Sequence, residues 1–145
     1  MNAYEEHMAN VTGQMRQDLI GSGFTELTTG EQVQDTMDKL EGTALIVINS
    51  VCGCAAGQAR PAVKEAVKES ANVPDHLFTV FAGQDKEATA MLRDYFPEVL
   101  PSSPSIAIWK DGKLAHFIPR EDIENSQMFQ IKDHLTGVLD QIATK

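Results

Sequence analysis

Apolar positions recur along this chain with two different periods, and each change of period marks a new element. Tyr4, Met8, Val11, Met15 and Leu19 follow at steps of four and three with polar residues between them. That spacing predicts an amphipathic helix closed by Gly21 and Gly23, with the methionines filling its stripe rather than holding a metal. A second helix is predicted from Thr29, with Gln32 as capping-box partner, Val33, Met37 and Leu40 on its inner face, and Gly42 past its end. Ala44-Leu45-Ile46-Val47-Ile48 is an unbroken apolar run, the pattern of a strand covered on both faces. Beyond residue 54 a helix carries Ala59, Val63, Ala66 and Val67 inward and Arg60, Lys64, Glu65, Lys68 and Glu69 outward. Pro61 inside it predicts a kink, and Asn72-Val73-Pro74 its end. Residues 77–82 read as the next strand, and the strand–helix–strand order implies a parallel pair. Asp85 is placed to cap a helix with Ala88, Met91, Leu92 and Tyr95 inward, stopped by Pro97. A loop rich in proline and serine (97–105) leads into a strand over 106–109, with Trp109 assigned to hairpin packing. Asp111-Gly112 predicts a type I′ turn, because both central positions of that turn need positive φ. Residues 114–118 return antiparallel, and a last helix over 126–143 buries Met128, Ile131, Leu135, Leu139 and Ile142.

The order α-α-β-α-β-α-β-β-α predicts an α/β fold: a four-stranded mixed sheet (β-α-β, helix, β-hairpin, helix) with helices on both faces. No repeat, low-complexity stretch or linker interrupts it, so residues 1–145 read as one domain with a helical N-terminal segment over 1–42. That length supports a hydrophobic core without disulfide staples. The net charge of -9 and the absence of a basic block argue against nucleic-acid binding. No apolar run approaches the roughly 20 residues that span a bilayer, and the first residues lack the basic start and apolar segment of a signal peptide. A cytosolic, cytoplasmic setting is expected, where a disulfide is more often transient than structural.

Candidate chemistry is concentrated in Asn49-Ser50-Val51-Cys52-Gly53-Cys54-Ala55-Ala56-Gly57-Gln58-Ala59-Arg60-Pro61. Its two cysteines are the only ones in 145 residues. They fall where a strand hands over to a helix, outside the carboxyl end of that strand, where open α/β sheets place their sites. Unpaired N–H groups and the positive dipole end at a helix N-terminus favour a thiolate, the nucleophile of thiol–disulfide exchange. Two small residues buried in a tight turn are the plainer alternative, although nothing in packing requires a second Cys at that spacing. In a regular helix, residues two apart point to nearly opposite sides. A Cys52–Cys54 bridge therefore predicts that Gly53 leaves helical geometry, giving a strained and labile ring suited to exchange or isomerisation. His7, His76, His116 and His134 are scattered and make no ligand spacing with the cysteines. Two thiolates alone are too few for a closed zinc site or a conventional cluster.

The stretch resembles a known family. A strand, a thiol motif at a helix N-terminus, a proline inside that helix, and Pro104 before a hairpin strand ending in Lys110-Asp111-Gly112-Lys113 form the thioredoxin-like order. The Cys-Gly-Cys motif, the helical N-terminal segment and Pro101-Ser102-Ser103-Pro104-Ser105 resemble the bacilliredoxins more narrowly, over essentially the whole chain. The resemblance implies an oxidoreductase that removes bacillithiol from mixed disulfides on oxidised cytosolic proteins, with Cys52 attacking and Cys54 resolving. Gly53, Ser103 and Pro104 support them, the Ser103–Pro104 bond being cis and facing the thiols. It implies no tightly bound cofactor, bacillithiol as co-substrate, and S-bacillithiolated cytosolic proteins as partners, with no membrane or nucleic-acid partner.

The chain also departs from thioredoxin. The acidic residue about six positions before the first cysteine is replaced by Ile46, and the tryptophan preceding that cysteine by Val51, so thioredoxin-like proton handling is not carried over. A protein disulfide isomerase or general thioredoxin-like reductase, and a metal or iron–sulfur module, stand as alternatives. Arg60 and Lys64 are assigned to the solvated face, and oligomeric state is not readable from the sequence.

Overall fold

The computed structural model describes residues 2–143. Helix α1 (Ala3–Ile20) opens on Asn2, whose side chain accepts from the Glu5 amide at 2.8 Å. Its stripe packs mainly at the C-terminal end: Leu19 is fully buried, whereas Tyr4 is 72% exposed, because nothing covers the first turn. A two-residue strand, β1 (Thr25–Glu26), follows and pairs in parallel with β3 (His76–Phe81). The sheet therefore has five strands, not four; two residues are too few to show an alternating pattern. Helix α2 (Gly30–Lys39) has the expected capping box between Thr29 and Gln32, with both hydrogen bonds made.

The strand order is β1-β3-β2-β4-β5, with β2 (Thr43–Asn49), β4 (Ser105–Lys110) and β5 (Lys113–Ile118). The first three run parallel, β4 pairs antiparallel with β2, and β5 pairs antiparallel with β4. Strand β2 lies at the centre, which explains its unbroken apolar run. Leu45 and Val47 pack on one face with residues of α3 (Arg60–Glu69) and α6 (Met128–Ala143). Ala44, Ile46 and Ile48 pack on the other with α2 and α4 (Lys86–Arg93), and Trp109 joins that cluster. The hairpin between β4 and β5 turns on Asp111 and Gly112, at φ 50° and 84°, as a type I′ turn requires.

Three further expectations are corrected. Asp85 precedes α4, but its side chain makes no capping bond. It pairs instead with Arg16 at 2.5 Å; Arg16 also reaches Glu26 at 3.0 Å and lies 5.0 Å from the centre of the Phe81 ring. A cross-element ion pair thus wins over a local cap and fastens α1 to the sheet. A short helix, α5 (Arg120–Glu124), precedes α6, and the final helix begins at Met128 rather than at 126. The third correction concerns Arg60 and is given with the site. Among the described residues no helix is long and apolar enough to cross a membrane.

Candidate active site

Strand β2 ends at Asn49, and the next residues make a polar turn held by its own hydrogen bonds and by a buried cation. Asn49 Oδ1 accepts from the Ser50 amide at 2.9 Å, and Ser50 Oγ accepts from the Cys52 amide at 3.1 Å. Beneath the turn lies Arg60, only 4% exposed, its Nη1 donating to Asn49 Oδ1 at 2.8 Å and to the Ser50 carbonyl at 3.0 Å. Its Nε faces Asp18 at 3.3 Å, and Asp18 also takes Lys64. Arg60 was expected on the solvated face, yet it lies three residues before Val63 and so on nearly the same side of the helix. The charge is tolerated there because the turn and Asp18 supply it with acceptors.

The helix that carries the thiols is irregular where Pro61 enters. Residues 55–59 form a π-helical turn, Ala55–Ala59, in which the Arg60 amide reaches back to the Ala55 carbonyl. Proline lacks an N–H and its ring crowds the carbonyl four residues earlier, and the widened turn relieves that conflict. Gln58, in the same turn, donates to the carbonyls of Ile123 at 2.7 Å and Ser126 at 2.6 Å, tying the start of the thiol helix to α5 and to the segment that joins it to α6.

Both cysteines are free thiols, with their Sγ atoms 2.8 Å apart. Cys52 sits in the bend, whereas Gly53 and Cys54 already have helical geometry. The departure expected of Gly53 belongs to a Cys52–Cys54 bridge; in this free-thiol form its φ is not positive, and Cys52 stays out of the helix with its sulfur beside that of Cys54. The Cys52 carbonyl accepts from the amides of Ala55 and Ala56, so the helix grows directly out of the motif.

The two thiols differ in environment. Cys52 is half-buried and its pKa is lowered, first by the Cys54 thiol donating to it, then by the Cys54 amide, the Arg120 charge and the Ala55 amide, with partial desolvation opposing. Cys54 is 8% exposed and its pKa is pushed up to about 11, first by burial, then by the hydrogen bond to Cys52 and the Cys52 charge. Arg120 pulls it down and Glu124 pushes it up. The pair thus favours a Cys52 thiolate held by a protonated Cys54.

Pro104 comes to the same end of the sheet, because β4 pairs with β2 in a register that sets Ser105 opposite Ile48. The Ser103–Pro104 bond is cis. Its loop is held from two sides: Arg93 Nη2 and Ser105 Oγ donate to the Ser102 carbonyl at 3.2 and 3.0 Å. The Arg120 amide donates to Ser102 Oγ at 3.2 Å, and Arg120 Nη1 to the Ser103 carbonyl at 3.4 Å. Ile46 is fully buried on the α2–α4 face, so the charged groups that act on the thiols come from α5 instead. Nothing in the spacing of Arg120 and Glu124 pointed to the site. Their only signal was Pro119, which begins the short helix.

A strand–thiol–helix unit with a cis proline at the same end of a sheet of this order makes the protein a thioredoxin-fold thiol–disulfide oxidoreductase. The oxidised form of Arabidopsis thaliana thioredoxin O2 superposes with a TM-score of 0.55 over 79% of this chain and 96% of that one, at 15% identity. Fasciola hepatica thioredoxin does so at 0.55, over 79% and 98%, at 19% identity. A family model described as disulphide isomerase matches residues 6–143. A bacilliredoxin of Bacillus cereus is 54% identical over 92% of this chain and 93% of its own length. One of Geobacillus kaustophilus is 51% identical over 96% of each, and one of Shouchella clausii 58% over 86% of each. The chain belongs to the bacilliredoxin family.

Proposed function

We propose that this oxidoreductase removes bacillithiol from mixed disulfides on oxidised proteins, with Cys52 as nucleophile and Cys54 as resolving thiol. The observation that carries the reading is the inequality of the two thiols: an accessible Cys52 held toward its thiolate, and a buried Cys54 held protonated 2.8 Å away. In the first step the Cys52 thiolate attacks the bacillithiol sulfur. The mixed disulfide breaks, the protein thiolate leaves, and bacillithiol remains bonded to Cys52. In the second, Cys54 loses its proton and attacks Cys52 Sγ, expelling bacillithiolate and forming the Cys52–Cys54 disulfide. Alternatively, a second bacillithiol attacks the adducted bacillithiol sulfur, leaving bacillithiol disulfide and free Cys52. After the first route, two electrons from two further bacillithiol molecules restore both thiols. Bacillithiol bears carboxylates, and Arg120 offers them a cation beside the sulfurs.

A second reading, disulfide isomerisation or general reduction of protein disulfides, is favoured by the description of the matching family model. One experiment separates the two: intact-mass spectrometry of reduced Cys54→Ala after exposure to an S-bacillithiolated protein, with an S-glutathionylated control. A bacillithiol-sized adduct on Cys52, with little from glutathione, is the expected result. Equal adducts from both, or protein–protein mixed disulfides alone, would move the assignment to the general exchanger. Adduct on Cys52→Ala but none on Cys54→Ala would reverse the two roles.

A further inference from the structure

His116 and His134 are eighteen positions apart in sequence, and the fold brings them together. On β5, His116 and Ile118 are two residues apart and share the face that packs under α6. On α6, His134 follows Ile131 by three residues and precedes buried Leu135 by one, which sets it at the edge of the buried stripe. Their rings meet where the last strand runs beside the last helix, with centroids 4.8 Å apart, planes inclined by 52° and Nε2 atoms 2.7 Å apart. Both line an open cavity of about 500 Å³ that also holds Asp122, Asn125, Ser126 and Gln130. His76, by contrast, stacks on Phe78, and offers no second imidazole.

We propose that His116 and His134 form a two-histidine site for a divalent transition-metal ion of the zinc class, completed by water. Two imidazole nitrogens aimed at one point are the donor set such ions prefer, whereas magnesium and calcium take oxygen ligands. At metal–nitrogen distances of roughly 2.0–2.1 Å and a tetrahedral angle, two ligating nitrogens stand about 3.3 Å apart. The Nε2 atoms therefore need to separate by only about 0.6 Å to admit the ion, a motion within the reach of His134 on the exposed helix surface. In the metal-free form one Nε2–H donates to the other Nε2. On binding, that proton shifts to Nδ1 of the same ring, so both Nε2 lone pairs turn to the metal without a change in net protonation. Asp122 adds a negative charge to the same cavity wall. Among the described residues no group of three or more ligating side chains converges, so the site has two protein ligands and open positions. An ion there clamps β5 to α6 and raises the stability of the fold.

The site is independent of the thiols, and the test keeps them apart. The full chain carrying Cys52→Ser and Cys54→Ser removes thiolate ligands, and zinc chloride is then titrated by calorimetry and by the ring-proton resonances of the histidines. One equivalent should bind, with the His116 and His134 resonances moving together while those of His7 and His76 stay still. In the same background His134→Gln, a surface change that leaves the core untouched, should weaken binding at least tenfold, and His116→Gln should do likewise. The absence of saturable binding, or affinity within twofold of the parent in His134→Gln, would overturn the proposal. So would zinc-induced shifts at His7 or His76 without shifts at the pair.

Discussion

Arg60 and Lys64 share Asp18, yet they should contribute very differently to stability. Arg60→Met keeps most of the aliphatic volume and removes the guanidinium from under the Asn49–Ser50 turn. Two hydrogen bonds from a charged donor are lost, at 2.8 and 3.0 Å, in a place where neither oxygen is open to water: Asn49 is 2% exposed and Ser50 8%. Each such bond contributes about 1.5–3 kcal/mol. Relief of the desolvation that burial imposes on the cation offsets part of that sum. The net loss should be about 3 kcal/mol, which for a chain of this length lowers Tm by roughly 6–12 °C. Lys64→Met removes the other cation, whose side chain is 38% exposed. Surface pairs of that kind are worth under about 1 kcal/mol. Urea denaturation of the two variants, with a common m-value as the check on two-state behaviour, gives the comparison directly. If Arg60→Met lost no more stability than Lys64→Met, the buried guanidinium would not be what holds the turn.

Cys54→Ala removes the donor that most lowers the Cys52 pKa, so that pKa rises and the alkylation-rate profile of Cys52 shifts to higher pH; an unchanged or lower midpoint would contradict the assignment. Arg120→Ala should shift the same profile in the same direction, because its charge also favours the thiolate, and high salt should reproduce part of the shift in the parent protein. Gly53→Ala should stabilise the reduced protein by up to about 1 kcal/mol in urea melts, since Gly53 is helical and an added Cβ meets nothing within 4 Å, and a loss of stability would contradict this. Gly42→Ala should destabilise by about 1–3 kcal/mol in the same melts. Its φ is 79°, and a Cβ there strikes the Asp75 carboxylate that accepts from the Thr43 amide.

Elements that rest on long periodic patterns or local chemistry were legible in the sequence. The β2 run, the Thr29 capping box and the Asp111-Gly112 turn each carry their cause within a few residues. What escaped depends on contacts between distant segments. Strand β1 exists because Thr25 and Glu26 meet β3, and two residues carry no period. Asp85 is drawn from α4 by Arg16, 69 residues away. Arg60 reads as a surface residue by charge alone, and only the Asn49 side chain, the Ser50 carbonyl and Asp18 make its burial tolerable. The thiols were visible because their function is written as spacing. Arg120 and Glu124 were not, since they reach the thiols through the fold of α5 and the Gln58 contacts that hold it.

The same contact that favours the Cys52 thiolate also restrains its partner, and this gives the proposed cycle an order. While Cys52 is a thiolate, Cys54 is its hydrogen-bond donor and feels its negative charge, and both effects add to burial in keeping Cys54 protonated. Once Cys52 is bonded to bacillithiol, the charge and the acceptor for that hydrogen bond are gone. Burial and Glu124 still oppose ionisation of Cys54, but Arg120 now acts on it without a competing thiolate nearby. Cys54 therefore becomes easier to deprotonate at the step in which it must attack, and not before. A one-residue spacer suits this coupling because it keeps the sulfurs 2.8 Å apart while one cysteine stays in the bend and the other in the helix.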